Sequence, residues 1–151
     1  MSAQTSYGLS QANALAGLLY STEKGDRITR AAEGAADIPF GYAVSRGTNA
    51  DTQAVAGGTS FLGITIRSLD QEGSAQTGDL AYRPTQAMAV MRAGYIWVAV
   101  AAGCVPGDVA KYVTATGAID SGAPVVGEAA IPGGTFETTA TAGTLALLRI
   151  A

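Results

Sequence analysis

The stretch AAGCVPGDVAKYVTATGAI, residues 101–119, decides how the rest of the chain is read. Its Pro-Gly-Asp precedes a short alternating run, and Ala-Thr-Gly-Ala follows it. That order fits a loop holding a metal ion or a phosphate, and it equally fits two chain reversals around one β-strand. Comparison within the chain favours the reversals. Gly-Asp followed by an apolar or alternating run recurs in TGDLAYRP, residues 77–84, and more loosely in KGDRITR, residues 24–30. Gly supplies the turn conformation without steric cost, and Asp accepts backbone N–H bonds beside it. A calcium loop needs several closely spaced oxygen ligands. None surrounds Asp79 or Asp108, so both are read as turn residues.

Working outward, from Ile38 onward short runs rich in Val, Ile, Tyr, Phe and Thr alternate with Gly, Pro, Asp and Asn, the pattern of an all-β chain. Candidate strands are PFGYAVSR, FLGITIRS, DLAYRP, AMAVMR, YIWVAVA, DVAKYVT, VVGEAAI, TFETTA and TLALLRI. Their even spacing predicts a β-sandwich or barrel. In FLGITIRS, Leu62, Ile64 and Ile66 share one face and Gly63, Thr65 and Arg67 the other, which predicts a half-buried strand. YIWVAVA is apolar on both faces, Ile96, Val98 and Val100 opposite Tyr95, Trp97 and Ala99, which places it centrally or at an interface. Ala93 and Gly94 separate it from AMAVMR and predict a tight hairpin there.

Residues 1–37 differ in character and are assigned to an N-terminal arm, leaving 38–151 as the β domain. They are rich in small and polar residues. Ala12, Leu15, Ala16 and Leu19 follow helical spacing, but Gly17 weakens a helix, and an extended or irregular arm is preferred.

Only 14% of the 151 residues are charged, against about 25% in average soluble proteins, while 48% are hydrophobic. Such a surface points to association with a partner or with itself, unless small Ala and Gly side chains inflate the apolar count. The net charge of −3 and the scattered basic residues argue against nucleic acid. The longest apolar run, residues 93–106, falls short of the roughly 20 residues of a membrane span. The N-terminus lacks the basic and apolar regions of a secretory signal, and Cys104 is the only cysteine, so folding in a reducing cytosol is expected.

The chain has no histidine, which removes the usual general base and the commonest metal ligand. Cys104, between apolar residues, reads as an inert buried thiol. The carboxylates, among them Glu33, Asp51, Asp70, Asp120, Glu128 and Glu137, fall mostly in loops or beside Gly, as solvated residues do. AGGTS and PGGTF match no phosphate-binding fingerprint. No enzyme, cofactor or metal is expected.

The serial order of these pieces resembles the structural cement, or head decoration, proteins of tailed bacteriophages. The resemblance is carried by GLLY (17–20), IPFGYAV (38–44), FLGITIRS, GDLAYRP, AGYIWVAV, VPGDVAKYVTATGAI and IPGGTFETTATAGTLALLRI (131–150). Each motif alone is a turn plus a strand; their order over nearly the whole chain is more specific. The resemblance implies a jelly-roll-like β-sandwich on the outer capsid surface that bridges major capsid protein subunits without catalysis, with residues 1–37 as the gripping arm. Contact candidates are Tyr7, Leu15, Leu18, Leu19 and Tyr20 on the arm, and Phe40 and Tyr42 where arm meets core. For Phe40, Tyr42 and Trp97, plain core packing is the favoured reading. Because β-edges pair readily, a homodimer is expected, with a trimer as alternative. A carbohydrate-binding β-sandwich of a tail fibre or adhesin is the competing reading, for which the few aromatics offer limited material.

Overall fold

The computed structural model describes residues 15–20, 25–68 and 81–151. Among them there is no helix, and eleven strands follow one another: β1 Asp26–Glu33, β2 Ile38–Pro39, β3 Ala43–Arg46, β4 Gln53–Ala56, β5 Phe61–Thr65, β6 Ala81–Tyr82, β7 Ala87–Ala99, β8 Val109–Val113, β9 Ile119–Ser121, β10 Glu128–Phe136 and β11 Leu145–Ile150. The fold is all-β, and its sheet takes the barrel-like form. Nine strands lie in the order β1-β4-β3-β5-β7-β11-β10-β8-β9, and a further β1–β7 pairing closes the first five into a ring. A parallel bridge from Val100 to Ile119 closes β7, β11, β10, β8 and β9 into a second. β7 belongs to both rings.

That double role corrects the hairpin expected at Ala93 and Gly94. AMAVMR and the first five residues of YIWVAVA form one 13-residue strand, Ala87–Ala99. The apolar run supplies pairing partners all along its length: β1 and β5 take the first half, β11 the second. Opposite Asp26 and Arg27 the register slips by one residue, and Gly94 sits at φ 129°. The extra residue is a β-bulge, which switches the side chains between faces. Met88 and Val90 therefore enter one core cluster, with Ala32, Phe40, Val44, Leu62 and Tyr82. Met91, Ile96, Val98 and Val100 enter the other, with Tyr112, Ile131, Phe136 and Leu148.

β5 is buried on both faces, not half-buried. Ile64 and Ile66 pack in the second core and Leu62 in the first. Thr65, wholly buried, is accommodated because its hydroxyl donates to the Pro39 carbonyl at 2.8 Å and accepts the Tyr42 N–H at 3.1 Å. Gly63 has no room for a side chain: a Cβ there would stand 2.3 Å from the Met91 carbonyl oxygen. PFGYAVSR is likewise split into β2 and β3 at Gly41, whose φ is 76°.

The arm boundary at residue 37 also changes. Asp26–Glu33 is an integral strand, paired antiparallel with β7 and parallel with β4. Its sequence is poor in β-branched residues, so the pairing and the burial of Ala32 hold it rather than intrinsic propensity. The described part of the arm is thus residues 15–20. The N–H of Gly17 donates to the Trp97 carbonyl at 2.8 Å, and the Trp97 N–H returns to Leu18 at 2.9 Å.

The Pro-Gly-Asp stretch forms a turn at Val105–Asp108. Pro106 and Gly107, the latter at φ 92°, occupy the centre of a turn closed by the Asp108 N–H on the Val105 carbonyl, and the Asp108 carboxylate accepts the Val105 N–H at 2.9 Å. That carboxylate closes a turn. Asp79 lies outside the described residues.

Thr85 is the one non-glycine residue with positive φ among those described, at 71°, in the turn Arg83–Gln86. A β-branched residue there is strained by about 1–2 kcal/mol. Thr85→Gly is expected to raise the melting temperature by about 2–4 °C per kcal/mol relieved, measured by thermal unfolding; an unchanged or lower value would show that Thr85 is not strained.

Candidate functional site

Strand alternation fixes the outward face of the second ring. On β7, Ile96, Val98 and Val100 point inward, leaving Tyr95, Trp97 and Ala99 outside; on β11, Ala146, Leu148 and Ile150 are inward and Arg149 is exposed. The register aligns these residues across four strands. Tyr95 lies opposite Arg149, Arg149 opposite Thr135, and Thr135 opposite Val109. Three strand spacings separate Tyr95 from Val109, about 14 Å along the sheet.

At one end of this row stands an aromatic group. The Tyr20 ring lies 6.3 Å from both Tyr95 and Trp97, tilted against the first and edge-on to the second. Tyr20 is 60% exposed, Tyr95 40%, and nearby in sequence Leu15 51%. At the other end are valines. Val105 and Val109 are exposed, and so are Val125 and Val126 in the loop that leaves β9. The Gly122 N–H donates to the Val109 carbonyl at 2.9 Å, which ties this loop to the row. The seven large hydrophobic side chains that stand exposed among the described residues are Tyr20 and Tyr95, these four valines, and Leu15 on the arm.

The valine loop is held by a latch. Lys111 Nζ lies 2.8 Å from the Glu128 carboxylate, and that carboxylate also accepts the Val125 N–H at 3.0 Å. The Lys111 hydrogen bond, then the Val125 N–H, hold the Glu128 carboxyl below its ordinary value of 4.5.

The candidates read from sequence divide. Leu15, Leu18 and Tyr20 lie in the segment on β7, with Tyr20 at the aromatic end of the outward face. Leu19 is partly buried against the second core, bridged to Ile96. Phe40 does sit where arm meets core, since a Cβ on Gly17 would stand 2.9 Å from it, but it is only 3% exposed. Its ring meets Tyr82 edge-on at 5.0 Å and lies under the Arg67 guanidinium at 4.9 Å, so its surface is used within the chain. Arg67 also donates to the Ala16 carbonyl at 3.0 Å and so fastens the arm. Tyr42 is half-buried and lines a shallow apolar notch of about 120 Å³ with Val100, Ile119 and Gly143, well below the roughly 300 Å³ of a small-molecule pocket. Tyr7 lies outside the described residues. Tyr95, Arg149, Val125 and Val126 were missed as contact candidates, although the two-sided apolar pattern of YIWVAVA pointed toward Tyr95.

Chemistry is sparse. Among the described residues no group of three or more His, Cys, Asp or Glu is placed to hold a metal, and no helix is long and apolar enough to cross a membrane. Cys104 is buried, its thiol donates to the Thr138 carbonyl at 3.3 Å, and burial pushes its pKa up, away from a nucleophilic thiolate.

The fold is a closed all-β body whose outer face carries exposed aromatic and aliphatic side chains. The model of the structural cement protein family (E217 gp24/Pam3 gp6) matches residues 3–151, and the chain belongs to that family, as a structural, capsid-associated protein of bacteriophages. In structure it is similar to a chain from "The capsid of Myoviridae Phage XM1", with a TM-score of 0.72 at 16% identity, over 99% of this chain and 98% of that one. No match was found among the curated proteins.

A depressed folded-state pKa stabilises above the unfolded value, and the contribution is lost as pH falls through the folded one. Glu128→Gln is therefore expected to lower the melting temperature above pH 4.5, with the two curves converging in more acidic buffer. Thermal scans of both proteins across pH 3–7 measure this; parallel curves would show that the latch carries no stability.

Proposed function

We propose that this chain is a non-enzymatic cement protein that binds the outer surface of a phage capsid, bridges neighbouring major capsid protein subunits and stabilises the head. It is made in the host cytoplasm and resides on the virion exterior. The family match over residues 3–151 carries this reading. The outward face supports it, because exposed aromatic and aliphatic groups at two ends of one surface let a single molecule engage two neighbours.

Each contact needs little strength. Burying about 400 Å² of apolar area is worth about 10 kcal/mol before several kcal/mol of binding cost. Once one end is attached, the second attachment is effectively intramolecular, and the pair dissociates far more slowly than either contact alone. The arm up to Tyr20 adds a third point of attachment, and self-association, as a dimer in the first instance, multiplies the points again.

Purified protein added to heads that lack it is expected to restore occupancy and raise the rupture temperature, with binding unchanged by EDTA. Differential scanning calorimetry of heads with and without the protein measures the effect. Heads equally robust in both states, or binding abolished by chelation, would reject the proposal.

A further inference from the structure

The outward face carries one feature that apolar burial does not use. Arg149 is exposed between Tyr95 on one side and Thr135 on the other, with Val109 one strand further on. The ion pairs among the described residues are Arg92 with Asp26 and Lys111 with Glu128, and Arg149 takes part in neither. Lys111 is already neutralised by the latch. Arg92, exposed on β7, is held by Asp26. Glu137, exposed just beyond β10, sits beside Leu147, its N–H donating to that residue's carbonyl, and makes no ion pair with Arg149. An unpaired guanidinium amid aromatic and aliphatic side chains is the composition of an interface centre, where Arg is over-represented because its planar fork takes a carboxylate through two parallel bonds.

We infer that Arg149 is the central anchor of this face and receives an Asp or Glu carboxylate carried on an apolar segment of the capsid shell protein, with the Tyr20–Tyr95–Trp97 group and the valines excluding water around the pair. Charge complementarity selects the occupant: a wholly apolar segment would desolvate the guanidinium without compensation, and a basic one would be repelled. This inference rests on the proposed capsid binding and names the partner's chemistry at that site.

The probe is the phage's own heads lacking this protein. Arg149→Glu is expected to weaken binding at least about 30-fold, the range of an interface hot spot. Arg149→Lys, which keeps the charge without the fork, is expected to weaken it about fivefold. Binding of the wild type is expected to fall between 50 and 500 mM NaCl, and binding of Arg149→Ala to respond less. An Arg substituted at one acidic shell residue is expected to rescue Arg149→Glu. Because Arg149 is exposed, unfolding temperatures of the variants should match the wild type, which separates lost contact from lost fold. Equal binding by wild type and Arg149→Glu overturns the inference while leaving capsid binding intact. So does a loss that tracks self-association and is rescued by Glu137→Arg in the same chain, since the partner would then be a second copy. A wild-type chain that ignores the heads overturns the proposed function itself.

Discussion

The proposed contact surface depends on one extra residue in one strand. β7 must serve two rings, and side chains alternate strictly along a strand, so an unbroken β7 would keep the parity of Met91 and turn Tyr95 and Trp97 into the second core. The bulge opposite Asp26 and Arg27 resets that parity. Beyond it, Ile96, Val98 and Val100 fill the barrel and the aromatics face solvent. Gly94, at φ 129°, accepts the backbone conformation that the reset demands. Fold and the proposed contact face are therefore coupled at this point: the same local slip that lets one strand complete two barrels also brings Tyr95 and Trp97 to the outer wall beside Tyr20.

The two rings are fixed to each other by main-chain bonds as well as by the shared strand. The Ala43 N–H donates to the Gly117 carbonyl at 2.8 Å, and the Gly58 N–H to Thr114 at 2.7 Å. These approaches require glycine. A Cβ at Gly117 would stand 2.3 Å from the Ala43 oxygen, and one at Gly57 would stand 2.3 Å from the Thr114 oxygen. The loop between β8 and β9 is thus seated against β3 and β4.

Much of this was legible in the sequence, for physical reasons that show where legibility ends. Turn chemistry at Pro106–Gly107–Asp108 is local, and so is the alternation in β8; both are visible in a short window. β1 was hidden because Asp26–Glu33 has little intrinsic preference for extended structure and is a strand only because β7 and β4 flank it. The continuity of β7 was hidden for the opposite reason: Ala93–Gly94 looks like a hairpin, and only pairing from residues distant in sequence keeps it extended. The same holds at the site. Tyr20 was found through its apolar neighbourhood, whereas Arg149 becomes notable only when the register sets it between Tyr95 and Thr135.

Closure of the rings also determines how the molecule can associate. The expectation of edge-to-edge pairing rested on free β-edges, but in the nine-stranded sheet every strand has a neighbour on both sides, β9 through a single bridge to Val100. Strand addition is thereby blocked along most of the sheet, and with it the commonest route to indiscriminate aggregation. What remains for association is side-chain surface, whose partners are chosen by shape, apolar area and charge. A chain with only 14% charged residues can keep such a surface exposed because its main chain is already satisfied. On the proposed reading, selectivity lies in the few polar groups left on that face, and a guanidinium with no partner of its own would discriminate among partners more sharply than any of the apolar groups around it.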